Sequence, residues 1–127
     1  MVAAFVLLSW QANAAVGLAS VDDGRMTRYD SRNYHGRIAT GGRFNPAIRG
    51  VAHRTLPLRS CVGIRYRSRV VVATVLDRGP CASAHCRAVA PWLLKRVLDL
   101  WPATRRALGF PNGVALISYW RTECAGL

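Results

Sequence analysis

The stretch from Val70 to Pro80, Val-Val-Val-Ala-Thr-Val-Leu-Asp-Arg-Gly-Pro, constrains this chain most. Six of its first seven residues are apolar and four of those are valines, so it reads as a strand buried on both faces and stopped by a Gly-Pro turn. That puts Asp77 at the rim of a core. A carboxyl group held there by a strand and a tight turn can serve as an acid, or it can cap the turn by accepting backbone N–H groups.

The 127 residues, 51% of them apolar, are enough for one core and leave no room for a second domain. Val2 to Leu8 is an apolar run too short to span a bilayer, and Ala12-Asn13-Ala14 behind it is a small-residue cleavage pattern. Residues 1–14 therefore read as a signal peptide and 15–127 as the mature domain, although no Lys or Arg precedes Arg25. A first core strand or helix is the alternative. No Cys lies near the cleavage pattern, so no lipid or other stable membrane anchor is expected.

A chain exported in this way meets oxidising conditions, where Cys61, Cys81, Cys86 and Cys124 would form two disulfides. Three pairings are possible. Cys81 and Cys86 share one small-residue loop, which favours that local pair and leaves Cys61 to staple the tail at Cys124. His85 between them raises a zinc alternative, but one Cys-x-x-x-His-Cys cluster with two remote cysteines is poorly spaced for it. The sequence calls for no metal and no cofactor.

Seventeen Arg and one Lys face five Asp and one Glu, a formal charge of +12. Such a surface attracts polyanions. No zinc finger, helix-turn-helix or stacking-aromatic motif is present, so a wall polymer fits an exported chain better than nucleic acid does. Solubility explains many of the individual arginines equally well.

Punctuation divides the rest. Val16 to Val21 reads as a first strand, Asp22 to Gly42 as a long polar loop, and Ala47 to His53 as a short extended piece. Cys61 to Arg67 alternates Val62, Ile64 and Tyr66 against Gly63, Arg65 and Arg67, a strand with one wet face that would form a hairpin with the Val70 strand. Trp92 to Trp101 suits a helix by spacing, yet Pro91 and Pro102 bracket it and its second half would serve as a strand. Pro102 to Leu108 with Gly109 as its stop reads as a short helix, and Gly113 to Trp120 as the last strand.

Five motifs now stand in order: Gly17-Leu-Ala-Ser20; Ile38-Ala-Thr-Gly-Gly-Arg-Phe44; Val51-Ala-His-Arg-Thr-Leu-Pro-Leu58; Val75-Leu-Asp-Arg-Gly-Pro80; and Arg96-Val-Leu-Asp-Leu-Trp-Pro-Ala-Thr-Arg-Arg-Ala-Leu-Gly109, followed by Gly113-Val-Ala. Together they resemble the rare lipoprotein A (RlpA-like) family, akin to expansin and barwin domains. The resemblance implies a mainly β fold, a six-stranded double-psi β-barrel with one or two short helices and long loops. It also implies a groove that binds peptidoglycan, which some members cleave as lytic transglycosylases. On this resemblance Arg96 to Leu98 should be a strand, Asp99 should start the turn into the helix, and the loop from Cys81 to Lys95 is an insertion braced by its disulfide.

The resemblance carries catalytic roles to Asp77 and His53, but the acidic residue of lytic members is replaced here by Gly42. Glycoside hydrolysis commonly uses two carboxyl groups. A lytic transglycosylase needs one acid/base, because the sugar's own hydroxyl is the nucleophile. Asp77 could then suffice, oriented by His53, unless His53 is a structural histidine satisfied by backbone groups. Arg43, Arg54, Arg78 and Tyr34 are the candidate substrate contacts, with Tyr34 the best sugar-stacking ring and Tyr29, Phe44 and Trp101 behind it. The expectation is a secreted, periplasmic or wall-associated monomer that binds peptidoglycan or another anionic wall polysaccharide. It would be either a lytic enzyme or a non-catalytic, expansin-like binder.

Overall fold

The structure, a computed structural model, describes residues 14–24 and 37–124. Residues 1–13, expected to belong to a signal peptide, and Tyr29 and Tyr34 lie outside the described residues.

Six strands close into a barrel: β1 (Ala15–Val21), β2 (Gly50–Ala52), β3 (Cys61–Tyr66), β4 (Arg69–Asp77), β5 (Arg96–Leu100) and β6 (Ala115–Thr122), in the spatial order β1-β5-β2-β4-β3-β6. The β1/β5 and β2/β4 pairs are parallel and the other four are antiparallel. Parallel neighbours cannot be joined by a hairpin. The chain makes long connections between β1 and β2 and between β4 and β5; the first touches Asp77 at Ala39 and the second starts from it. Closure leaves none of the six described strands as an open sheet edge. This is the closed six-stranded, mainly β barrel expected from the sequence.

The organising strand differs from expectation in one respect. Val71, Ala73, Val75 and Asp77 are buried while Val72, Thr74 and Leu76 keep partial exposure, so β4 has one inner face and one half-covered outer face. A strand in a small closed barrel packs its interior fully, and its outside receives only loops and helices. The inner residues join Val51, Val62, Ile64, Leu98, Leu100 and Phe110 in one core, each large side chain contributing roughly 1.5–3 kcal/mol by leaving water.

The β3–β4 hairpin pairs Tyr66 with Arg69 around the two-residue turn Arg67-Ser68. Arg67 holds φ 55°, a conformation that glycine adopts freely at this turn position and that costs a residue with a side chain about 1 kcal/mol. Its guanidinium lies 5.4 Å from the Tyr66 ring centroid, and Tyr66 meets Phe110 edge-on at 5.0 Å.

Helix α1 (Ala84–Val89) starts where the Ser83 hydroxyl accepts the Cys86 N–H, and a 3-10 turn (Pro91–Lys95) follows it. Helix α2 (Pro102–Leu108) has Pro102 in its first turn and ends at Gly109, whose φ of 64° turns its N–H back onto Arg105 and Arg106 carbonyls. Trp101, fully buried before α2, lies over Gly50 so closely that a Cβ there would sit 2.5 Å from the ring. Cys61–Cys124 and Cys81–Cys86 are bonded, the expected pairing. Both disulfides fit an oxidising, extracellular setting.

Candidate functional site

Four neighbouring strands carry one row of residues: Ser20 on β1 pairs with Asp99 on β5, Asp99 with Ala52 on β2, and Ala52 with Asp77 at the end of β4. A register shift between Val51 and Ala52 accompanies the last pairing. Such a bulge re-aims the residues beside it. Asp77 continues the inward series Val71, Ala73 and Val75 and is 1% exposed. Asp99 falls between the inward-facing Leu98 and Leu100, so it takes the outer register.

Two connections, the one before β2 and the one after it, converge on Asp77. Its Oδ1 accepts the Ala39 N–H at 2.8 Å, and its carbonyl accepts the His53 N–H at 3.1 Å. Ala39 belongs to a tight loop in which Ile38 N–H reaches the Gly42 carbonyl and Gly41 N–H reaches the Ile38 carbonyl. The loop that contains Gly42 is thus pinned to the Asp77 carboxyl. Gly42 itself is exposed, and a Cβ there would meet nothing within 4 Å.

His53 lies next to Asp77 through the backbone. Its Nδ1 accepts the N–H groups of Thr55 at 3.0 Å and Leu56 at 2.9 Å, which assigns its proton to Nε2. Burial, and then the positive charges of Arg54 and Arg78, hold its pKa below the usual histidine value. A neutral imidazole of this tautomer can donate a hydrogen bond from Nε2, but it has no spare proton to give an aglycone.

The two neighbouring arginines turn their forks inward. Arg54 donates to the carbonyls of Pro80 at 2.9 Å, Arg96 at 2.8 Å and Leu94 at 3.1 Å. It thereby ties the start of the Cys81–Lys95 insertion to its end. Arg78 donates to the carbonyls of Leu56 and of His53, the latter at 3.2 Å, and holds the His53 turn in place. Arg43 is exposed and pairs across the 37–43 loop with Arg37. Among the aromatics, Phe44 and Trp101 pack on each other at 4.6 Å and Trp101 has no exposed surface, so it offers no face to a sugar. Trp92, whose spacing suits an apolar position of a helix, lies on the 3-10 turn of the insertion and is 56% exposed.

Asp99 corrects the sequence reading. It does not begin a turn: β5 runs on through Leu100, and the helix cap position belongs to Trp101, which makes no side-chain cap. Pairing continues until Pro102, which has no N–H to offer a ladder. The Ser20 hydroxyl donates to Asp99 Oδ1 at 2.5 Å. The residue keeps some surface, but its carboxyl group is packed among protein atoms, and this burial pushes its pKa from an ordinary 3.8 to about 7. The Ser20 hydrogen bond and Arg96 oppose the rise, and Asp22 and Asp77 add to it. The alternation Val97-Leu98-Asp99-Leu100 was the available signal, since Asp between two inward leucines is an outward strand position.

Fold and site together define a closed barrel with two carboxyl groups and a neutral imidazole gathered where its long excursions meet. No protein-family model matches the chain, and no curated protein matches it in sequence. The Streptomyces papain inhibitor (SPI) is similar in structure, with a TM-score of 0.57 at 16% identity over 87% of this chain and 94% of that one. At that identity the likeness concerns the fold.

Proposed function

We propose that this chain is a wall-glycan-binding barrel of the RlpA-like type, exported from the cell, in which binding outweighs cleavage. The observation that carries this reading is the state of Asp77. Its carboxyl is buried and holds the Ala39 N–H, while Gly42 brings no carboxyl to the same loop. A carboxyl group enclosed by protein and committed to a backbone N–H holds the loop at 37–43 in place and presents little surface to a polymer. The glycan would lie across the loop at 37–44 and the insertion, drawn by the net positive charge.

Any residual lysis would fall to Asp77, the acid that the resemblance names, once a bound glycan drew its carboxyl away from the Ala39 N–H. In such a step the acid gives its proton to the glycosidic oxygen as the C–O bond breaks. The carboxylate then takes the proton of the sugar's own hydroxyl as that oxygen closes onto the anomeric carbon. The test is to incubate purified peptidoglycan with the protein and with its Asp77→Asn and Asp99→Asn variants, then to assay pelleting and released anhydro-sugars. Co-sedimentation without release supports the binder. Release from the parent that is lost in either variant makes it an enzyme, and no co-sedimentation removes the glycan reading.

A second reading rests on the shared fold with the papain inhibitor and on the disulfide-braced insertion, which exposes Val89 and Trp92. A rigid loop of this kind suits a protease cleft. Titration of papain activity with the protein separates the two readings.

A further inference from the structure

The pole of the barrel at the β3–β4 hairpin carries a second feature, independent of the glycan reading. It lies at the start of β4, and Asp77 at the end of the same nine-residue strand is roughly 25 Å away at about 3.3 Å per residue. Two open depressions flank Arg67. One, of about 220 Å³, is lined by Val16, Arg65, Arg67, Leu116, Ile117 and Ser118. The other, of about 200 Å³, is lined by Tyr66, Arg67, Ser68, Arg69, Leu108 and Gly109. No acid lines either depression among the described residues.

We propose that this pole binds a phosphodiester polyanion, with Arg67 as the contact shared by two successive phosphates. Three observations carry it. Arg67 occupies a left-handed turn position that suits glycine, so its side chain is kept there against the backbone preference. Unlike Arg54 and Arg78, whose forks are spent on carbonyls, it lies along the Tyr66 ring at the rim of both depressions. Each depression also pairs arginine with one serine hydroxyl, Ser118 or Ser68, beside an apolar wall. A planar carboxylate uses both oxygens on one guanidinium fork, whereas a phosphate has oxygens for the fork and the hydroxyl together. The apolar walls suit the carbon links between phosphates.

The test is fluorescence anisotropy of tagged poly(glycerol phosphate), tagged oligothymidylate and tagged poly-glutamate, titrated with the full chain at about 50 and about 200 mM salt. Arg67→Gly should weaken both phosphate probes about tenfold and lower the salt slope by about one. Its melting temperature should stay level or rise, because glycine takes the turn freely. Arg49→Ser, exposed ahead of β2 and away from the hairpin, should leave phosphate binding within about twofold. Preference for poly(glycerol phosphate) would mark a wall polymer as the source, and preference for oligothymidylate a nucleic acid; either supports the site. Unchanged affinity in Arg67→Gly, an equal loss in Arg49→Ser, or poly-glutamate bound as tightly as the phosphates would overturn it, the last pointing to an acidic protein.

Discussion

Ser20 and Asp99, 79 residues apart in the chain, meet across the parallel pair β1 and β5, the serine hydroxyl donating to Oδ1 at 2.5 Å. The bond ties the first strand to the fifth and restrains a carboxyl group that burial pushes toward neutrality.

That pairing makes stability depend on pH with a definite sign. Asp99 binds its proton more tightly when folded, about 7 against 3.8, so its contribution is complete below pH 3.8 and is lost as pH rises through about 7. His53 acts the other way: its lowered pKa costs stability as pH falls below 6.5. Replacing Asp99 with Asn should flatten the decline in melting temperature between about pH 4 and 7, an effect of a few kcal/mol at about 1.4 kcal/mol per pKa unit. Ser20→Ala removes an interaction that lowers the Asp99 pKa and should raise it, as carbon-detected NMR titration of the carboxyl would register. An unchanged titration in that variant contradicts the hydrogen bond.

Arg54 should be a stability residue. Three carbonyls depend on its fork, so Arg54→Ala should cost about 2–4 kcal/mol in urea denaturation. Arg54→Lys should recover little, because an ammonium cannot span the same acceptors. A variant with parental stability and weaker glycan binding would assign Arg54 to substrate instead.

The two disulfides should differ. Cys61–Cys124 closes 63 residues and Cys81–Cys86 only 5, so the chain-entropy model assigns them about 4 and about 2 kcal/mol. Thermal unfolding of the paired Cys→Ser variants should show the larger drop for the first. The second variant should keep the barrel while its insertion gains hydrogen-exchange rate.

Two glycines offer a contrast. Gly50→Ala forces a methyl against the Trp101 ring and should cost at least about 1–3 kcal/mol, while Gly42→Glu enters open space and should leave the melting temperature nearly unchanged. If the Asp77 end is a degenerate lytic site, Gly42→Glu should also raise anhydro-sugar release above the parent. Release unchanged in a folded variant would show that the missing carboxyl is not what limits cleavage.

Most of the strands, the short α2 helix and both disulfides were legible because local chemistry writes them: alternating apolar residues for β3, valines for β4, proline and glycine around α2, and cysteines five residues apart for the local bridge; β5 is ambiguous by its spacing and expected only through the resemblance. The site was legible only in part. Asp77 and His53 were found through their motifs. The inward forks of Arg54 and Arg78 and the true position of Asp99 were not, because each depends on partners from 22 to 79 residues away.

Sequence alone, through hydrophobic period and turn residues, determined that this chain would form short strands around one core and end its longest strand at an acid. Tertiary structure decided which acid could hold a proton. Barrel closure sets Asp99 beside Ser20 and within the field of Asp22 and Asp77, and the energy of a charge depends on what surrounds it in space, whatever its neighbours in the chain.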